Sequence, residues 1–144
     1  MTGISLKVQN VDAVMQAIRQ YGAKAEAELS KAVNTTALTI NTDIKKAIQS
    51  PPKTGVVYMR RGKKHQASAP GEAPATDTGT LVSSITYKQE IPLTATVSSR
   101  LDYAYYLEFG TRSIKPRPSW VPAVEKNTKL FNDLVDAALR RAAQ

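Results

Sequence analysis

Few side chains in this sequence are equipped for acid-base or covalent chemistry. One histidine, His65, and no cysteine occur in 144 residues. No Ser-His-Asp or Cys-His arrangement therefore finds its partners, and no His-Cys metal cluster can be assembled. Asp77, Glu90, Asp102 and Glu108 are the carboxylates a metal-dependent nuclease would enlist around an oxygen-loving cation, yet their spacing follows no ligand motif. No Gly-rich loop carries the lysine and hydroxyl that cradle a phosphate, and no Gly-x-Gly-x-x-Gly follows a strand. The sequence predicts a protein without catalytic residues, metal or cofactor. What remains is charge. Lys53, Arg60, Arg61, Lys63 and Lys64 stand against one acid, Glu72, between Ser50 and Pro74. That cluster suits phosphates or an acidic partner, or else is a solvated run on a mobile loop. Tyr58 is the only aromatic among them, which gives little for stacking bases.

A second dense segment runs from Asp102 to Ala123. Tyr103, Tyr105, Tyr106, Phe109 and the only tryptophan, Trp120, lie close together there, with a glycine and several prolines. Asp102 stands where it can cap a short helix, and Tyr103, Tyr106 and Leu107 share one helical face. Gly110 would end that helix, and Pro116, Pro118 and Pro122 would stiffen the arm beyond it. Aromatics at this spacing point to core positions for Tyr103, Leu107 and Phe109. Glu108 and Arg112, charged groups beside the aromatics, either pair across a subunit boundary or sit in water.

The elements that must position these groups follow from periodicity. From Val11, the positions Val14, Ile18, Tyr21, Ala25, Leu29, Ala32, Thr36, Ile40, Ile44 and Ile48 recur every three or four residues, the pattern of an amphipathic helix. Asn10 is placed to cap it, and Pro51 and Pro52 end it. Unbroken, it would run about 55 Å. Gly22 and the Asn34-Thr35-Thr36 patch are places for a bend, and so long a stripe exceeds what a small sheet covers, leaving part for a neighbouring copy. Residues 50–80 are rich in turn formers and predict an extended, flexible loop with a short strand at Val56–Met59. Asp77–Ile85 predicts a turn and a short helix. Ile85, Tyr87 and Gln89, then Leu93, Ala95 and Val97, alternate as half-buried strands, joined at Ile91-Pro92 into an antiparallel hairpin. A final amphipathic helix starts near Ser119 and uses Val124, Leu130, Phe131, Leu134, Val135 and Leu139, with Arg140 and Arg141 at its C-terminal dipole. The expected fold is α+β: one domain over residues 1–144, with a long N-terminal helix and a C-terminal helix packed on a small antiparallel sheet. Absence of cysteine fits a reducing compartment, and Met1–Lys7 carries no apolar run of a signal peptide. No segment approaches a membrane span. The net charge of +8 favours an acidic partner.

The ordered succession of motifs carries a resemblance. Pro51-Pro52-Lys53-Thr54-Gly55 is followed by Ser68-Ala69-Pro70-Gly71-Glu72-Ala73-Pro74. Asp77-Thr78-Gly79-Thr80-Leu81 with Ser84-Ile85 comes next. Tyr103-Ala104-Tyr105-Tyr106-Leu107-Glu108-Phe109-Gly110-Thr111, the most specific element, precedes Arg117-Pro118 and Pro122-Ala123. Together these resemble the minor tail or neck proteins of long-tailed bacteriophages, also called tail-completion or head-tail joining proteins, over residues 10–140. Members usually read Arg-Pro-Phe, an aliphatic residue and Arg-Pro-Ala where this chain has Arg117-Pro118-Ser119-Trp120-Val121-Pro122-Ala123; the aromatic is displaced by one position and an arginine is absent. The resemblance implies a noncatalytic virion protein, made in the host cytoplasm, that joins a ring of six subunits around the DNA channel. Its implied partners are the tail terminator or other tail proteins and the head connector. The residues expected at interfaces are Tyr58, Tyr105, Glu108, Arg112 and Trp120. The alternative from another class is a small DNA-binding protein whose Lys53, Arg60, Arg61, Lys63 and Lys64 neutralise phosphates.

Overall fold

A computed structural model describes residues 3–9, 12, 15, 16, 19, 22–50 and 53–144. The chain begins with a strand that its periodicity did not announce, β1 (Ile4–Val8). Asp12, Met15, Gln16 and Arg19 have helical backbone. Asn10, Val11, Val14, Ile18 and Tyr21 of the expected helix, like Pro51 and Pro52, lie outside the described residues. The long helix α1 spans Ala23–Gln49, 27 residues, about 40 Å. It starts where Gly22 adopts φ 70°, ψ −149°, a conformation no helix contains. One unbroken helix from Val11 is therefore not formed. The bend falls at Gly22, whereas Asn34, Thr35 and Thr36 stay helical.

Residues 57–66 form a second correction, because much of the expected loop is a hairpin. Strand β2 (Val57–Arg60) pairs antiparallel with β3 (Lys63–Gln66), Arg60 opposite Lys63. The two residues between, Arg61 and Gly62, take φ 50° and 77°, the positive values that a tight I′ hairpin turn demands. A short helix α2 (Thr80–Ser84) leads into β4 (Ile85–Ile91) and β5 (Thr94–Ser99), the expected hairpin. Helix α3 spans Asp102–Phe109 and α4 spans Trp120–Ala142.

Strands β1, β5 and β4 make one antiparallel sheet, in that order. Its register places Leu6 and Tyr87 on either side of Val97, and Ile4 and Ile85 on either side of Ser99. One face thus collects Ile4, Leu6, Ile85 and Val97 against α1 and α4. Ala25, Leu29, Ala32, Thr36, Ile40, Ile44 and Ile48, the stripe read from the sequence, are all buried in α1. The half of α1 near Ile40–Ile48 packs with the sheet, Trp120 and Ala123. The half near Ala25–Ala32 packs with Ala138, Leu134 and Leu139. Helix α4 therefore runs antiparallel beside α1, fastened at one end by Asn127 Nδ2 donating to Asp43 (2.8 Å) and at the other by Arg141 to Glu28 (2.8 Å). Arg141 and then Lys31 hold the Glu28 carboxyl below its ordinary pKa. The chain's own α4 covers the part of the stripe that was expected to await a neighbour, so none of the described stripe is left over.

Candidate functional site

Helix α3 turns Ala104 and Glu108 inward and its rings outward. Ala104 and Glu108 are buried, while Tyr103, Tyr105, Tyr106 and Phe109 are 42–52 % exposed. The expected core roles of Tyr103 and Phe109 are thus reversed, and Leu107 is half-buried. Tyr105 and Phe109 lie with ring centroids 4.9 Å apart, and Tyr105 meets Tyr106 edge-on at 6.0 Å. Leu101, not Asp102, is the N-cap residue; its N–H donates to Ser99 Oγ. Gly110 ends the helix as expected. Its φ of 77° belongs to the left-handed region, and a Cβ there would stand 2.7 Å from the Ile114 carbonyl oxygen. The tight return brings Pro116 and Arg117 back against the helix, where Arg117 N–H donates to the Leu107 carbonyl (2.6 Å).

Glu108, expected at a subunit boundary or in water, is 3 % exposed and bound inside its own chain. One carboxylate oxygen accepts the N–H groups of Ser119 (2.8 Å) and Trp120 (3.0 Å), and the other accepts that of Val121 (2.7 Å). These are among the donors that the first turn of α4 cannot satisfy internally. The negative charge also meets the positive end of the α4 dipole. Ser119 supplies the N-cap position without a side-chain capping bond, so a side chain eleven residues upstream does the capping. Trp120 follows into the core at 4 % exposure. Arg112 is exposed and forms no ion pair among the described residues.

Two other motif segments, at Thr54-Gly55 and Ser68–Glu72, converge on the same corner. Glu72 accepts the N–H of Ala69 (2.9 Å) and of Thr54 (3.1 Å) and a short hydrogen bond from the Thr54 hydroxyl. The Thr54 hydroxyl first, then the two N–H groups, lower its pKa to about 2. Arg117 Nε donates to the Ser68 carbonyl (3.2 Å), and Gly71 N–H donates to that of Pro116 (2.9 Å). Thr54, and Gly55 whose N–H donates to the Ala67 carbonyl (2.9 Å), are thus tied to residues 67–72, and those to the arm after α3. Thr54, Gly55, Ser68–Glu72 and Arg117, parts of the segments that carry the resemblance, form a brace of bonds to backbone groups.

The basic cluster divides in two. Lys53 donates to the Ala47 carbonyl (2.7 Å) in the last turn of α1, and burial lowers its pKa. Arg60 pairs with Asp77 at 2.6 Å, with His65 Nδ1 3.7 Å from the same carboxylate. Tyr58 stacks edge-on against His65, centroids 5.1 Å apart. One face of the hairpin is thus fastened to the body. Arg61, Lys63 and Lys64 at the tip are exposed and make no ion pair among the described residues. The opposite face presents Val57 and Met59, 54 % and 63 % exposed.

Beside α3 opens an apolar groove of about 480 Å³, lined by Ile4 and Leu6 of β1, Tyr105 and Phe109 of α3, and Trp120, Val121 and Val124 of α4, with Glu125 at the same site. Tyr105 and Trp120, both expected at interfaces, line it together. The groove itself could not be foreseen, because β1 was not. Among the described residues no group of three or more His, Cys, Asp or Glu is placed to hold a metal ion.

A family model described as "Bacteriophage HK97-gp10, putative tail-component" matches residues 12–110, well over half of the chain. The chain belongs to this family. Among curated proteins and among solved structures, nothing matches. The tail-component match takes in α1, the hairpin, β4, β5 and α3, and it stops at Gly110. The brace of Thr54, Ala69 and Glu72 lies within it. The arm at Arg117 and the cap that Glu108 gives α4 reach beyond it. A phage tail component is a structural protein of the virion, and no described helix is long and apolar enough to cross a membrane.

Proposed function

We propose that this tail component completes the tail at its head-proximal end, as one of six copies in a ring around the DNA channel between the tail terminator and the head connector. It would be made in the host cytoplasm and act without catalysis. The observation that carries this reading is the outward-facing aromatic surface of α3. Tyr105, Tyr106 and Phe109 are exposed on a helix whose position is fixed by the buried Glu108 carboxylate. Exposed rings on a rigid support are suited to burial against another protein. Tyr105 and Arg112 are the residues of this surface proposed to meet a partner, with Tyr58 at the hairpin. Glu108 and Trp120 serve it from inside by holding α3 to α4. The test is to silence the gene in its phage and image the lysate by electron microscopy. Separate filled heads and finished tails are expected; normally joined particles would overturn the reading.

Arg61, Lys63 and Lys64 at the hairpin tip, which make no ion pair among the described residues, support a narrower second role, contact with the phosphates of passing DNA. Lys53 and Arg60 are removed from that set by their intrachain bonds.

A further inference from the structure

Two exposed apolar surfaces lie on different sides of α3, one a strand and the other a groove. Val56, Val57, Tyr58 and Met59 are, among the described residues, the only run of four consecutive exposed large apolar side chains. They lie on a hairpin that Asp77 ties to the body through Arg60, and whose ladder the Gly55 and Ala67 N–H groups extend beyond β2 and β3. The groove lies across α3. Tyr103 and Leu107 line a cleft with Arg60 and Asp77 on the hairpin side, whereas Tyr105 and Phe109 line the groove with Ile4 and Trp120. One wall of the groove is β1, an edge strand of its sheet. Among the described residues β1 pairs with β5 alone, which leaves strand backbone beside an apolar floor. Such an edge accepts an added strand.

We infer that β2 of one copy docks in the groove beside β1 of the next, with Val57 and Met59 against Tyr105, Phe109 and Val121. The occupant is a second copy of this chain. It offers an exposed strand of the right chemistry, and its surplus cations Arg61, Lys63 and Lys64 complement Glu125 at the groove, which makes no ion pair among the described residues. A contact between different faces is heterologous, so repetition generates a ring when the rotation closes. The inference rests on the proposed ring and names the surfaces that would build it.

The chain has no cysteine, so single-cysteine variants report contacts cleanly. M59C and V121C proteins, both altered at exposed positions, are mixed at high concentration and treated with a short bismaleimide, in solution and in assembled particles. Mixed M59C–V121C dimers are expected well above homodimers of either variant and above an N132C control on the exposed side of α4. Homodimers alone, or mixed dimers at the control level in both settings, overturn the inference. Val57→Asp and Met59→Asp should leave circular dichroism and melting unchanged while abolishing mixed cross-linking of partner cysteines at Lys64 and Val121. Joined, infectious particles without mixed dimers would sink this contact and leave the neck reading standing. Mixed dimers from a protein dispensable for joining would do the reverse.

Discussion

A carboxylate that accepts three backbone N–H groups at a helix start is worth most where water is absent, and Glu108 has that setting. Removing it strands buried donors, a larger loss than that of an ordinary surface hydrogen bond. Glu108→Ala is expected to lower unfolding free energy in urea by about 2–4 kcal/mol, with Glu108→Gln costing less because its amide oxygen still accepts. A variant that unfolds at the wild-type midpoint but fails to join heads to tails would return Glu108 to the interface role first expected of it. Glu72 makes a comparable set of bonds in water, so its effect is legible through pH. Its pKa is depressed from 4.5 to about 2. A depressed carboxyl contributes stability above the unfolded value and loses it as pH falls through the folded one. Amide exchange at Thr54 and Ala69 should therefore stay slow above pH 4.5 relative to intrinsic rates, then lose protection progressively toward pH 2. In Glu72→Gln the same two amides should show no such titration.

At the scale of elements, the helices and the β4–β5 hairpin follow from pattern because their cues are local. The stripe from Ala25 to Ile48 is continuous, Ile85 to Val97 alternates, and Gly110 sits between a helical run and prolines. Gly110→Ala is accordingly expected to cost about 1–3 kcal/mol by urea denaturation, since an L side chain must adopt positive φ and also meet the Ile114 carbonyl. A neutral result would mean the turn relaxes freely. What was not legible depended on long-range partners. Strand β1 is short and its meaning comes from pairing with β5. The β2–β3 hairpin turns on Arg61-Gly62 instead of the Asn-Gly or Asp-Gly that announces such a turn, and its cations made the segment look like a loop. The rings of α3 resembled core because spacing gives a face but not which side of it is covered. The inward side of α3 went to Ala104 and Glu108, since the N-terminus of α4 required an anion there. Lys53 looked like a free cation because nothing nearby in sequence shows that it closes the end of α1.

For the whole molecule, the net charge of +8 is spread over a body in which Lys31, Arg60, Lys88, Lys126, Lys129 and Arg141 form ion pairs among the described residues. Arg61, Lys63 and Lys64, which make no ion pair among the described residues, concentrate three positive charges within four residues at the hairpin tip. If the second role is correct, Arg61, Lys63 and Lys64 neutralise phosphates and release counterions, so affinity for double-stranded DNA falls with salt in proportion to the contacts made. Replacing all three with glutamine is expected to reduce the slope of log K against log salt by about 3 per copy. Lys53→Gln should leave the slope unchanged and instead loosen the end of α1, read as faster amide exchange at Ser50. Fluorescence anisotropy with a labelled duplex at several salt concentrations measures the slope. An unchanged slope in the triple variant, with joining of heads to tails lost, would mean that these cations serve an acidic protein surface and that other cations make whatever phosphate contacts the slope reports.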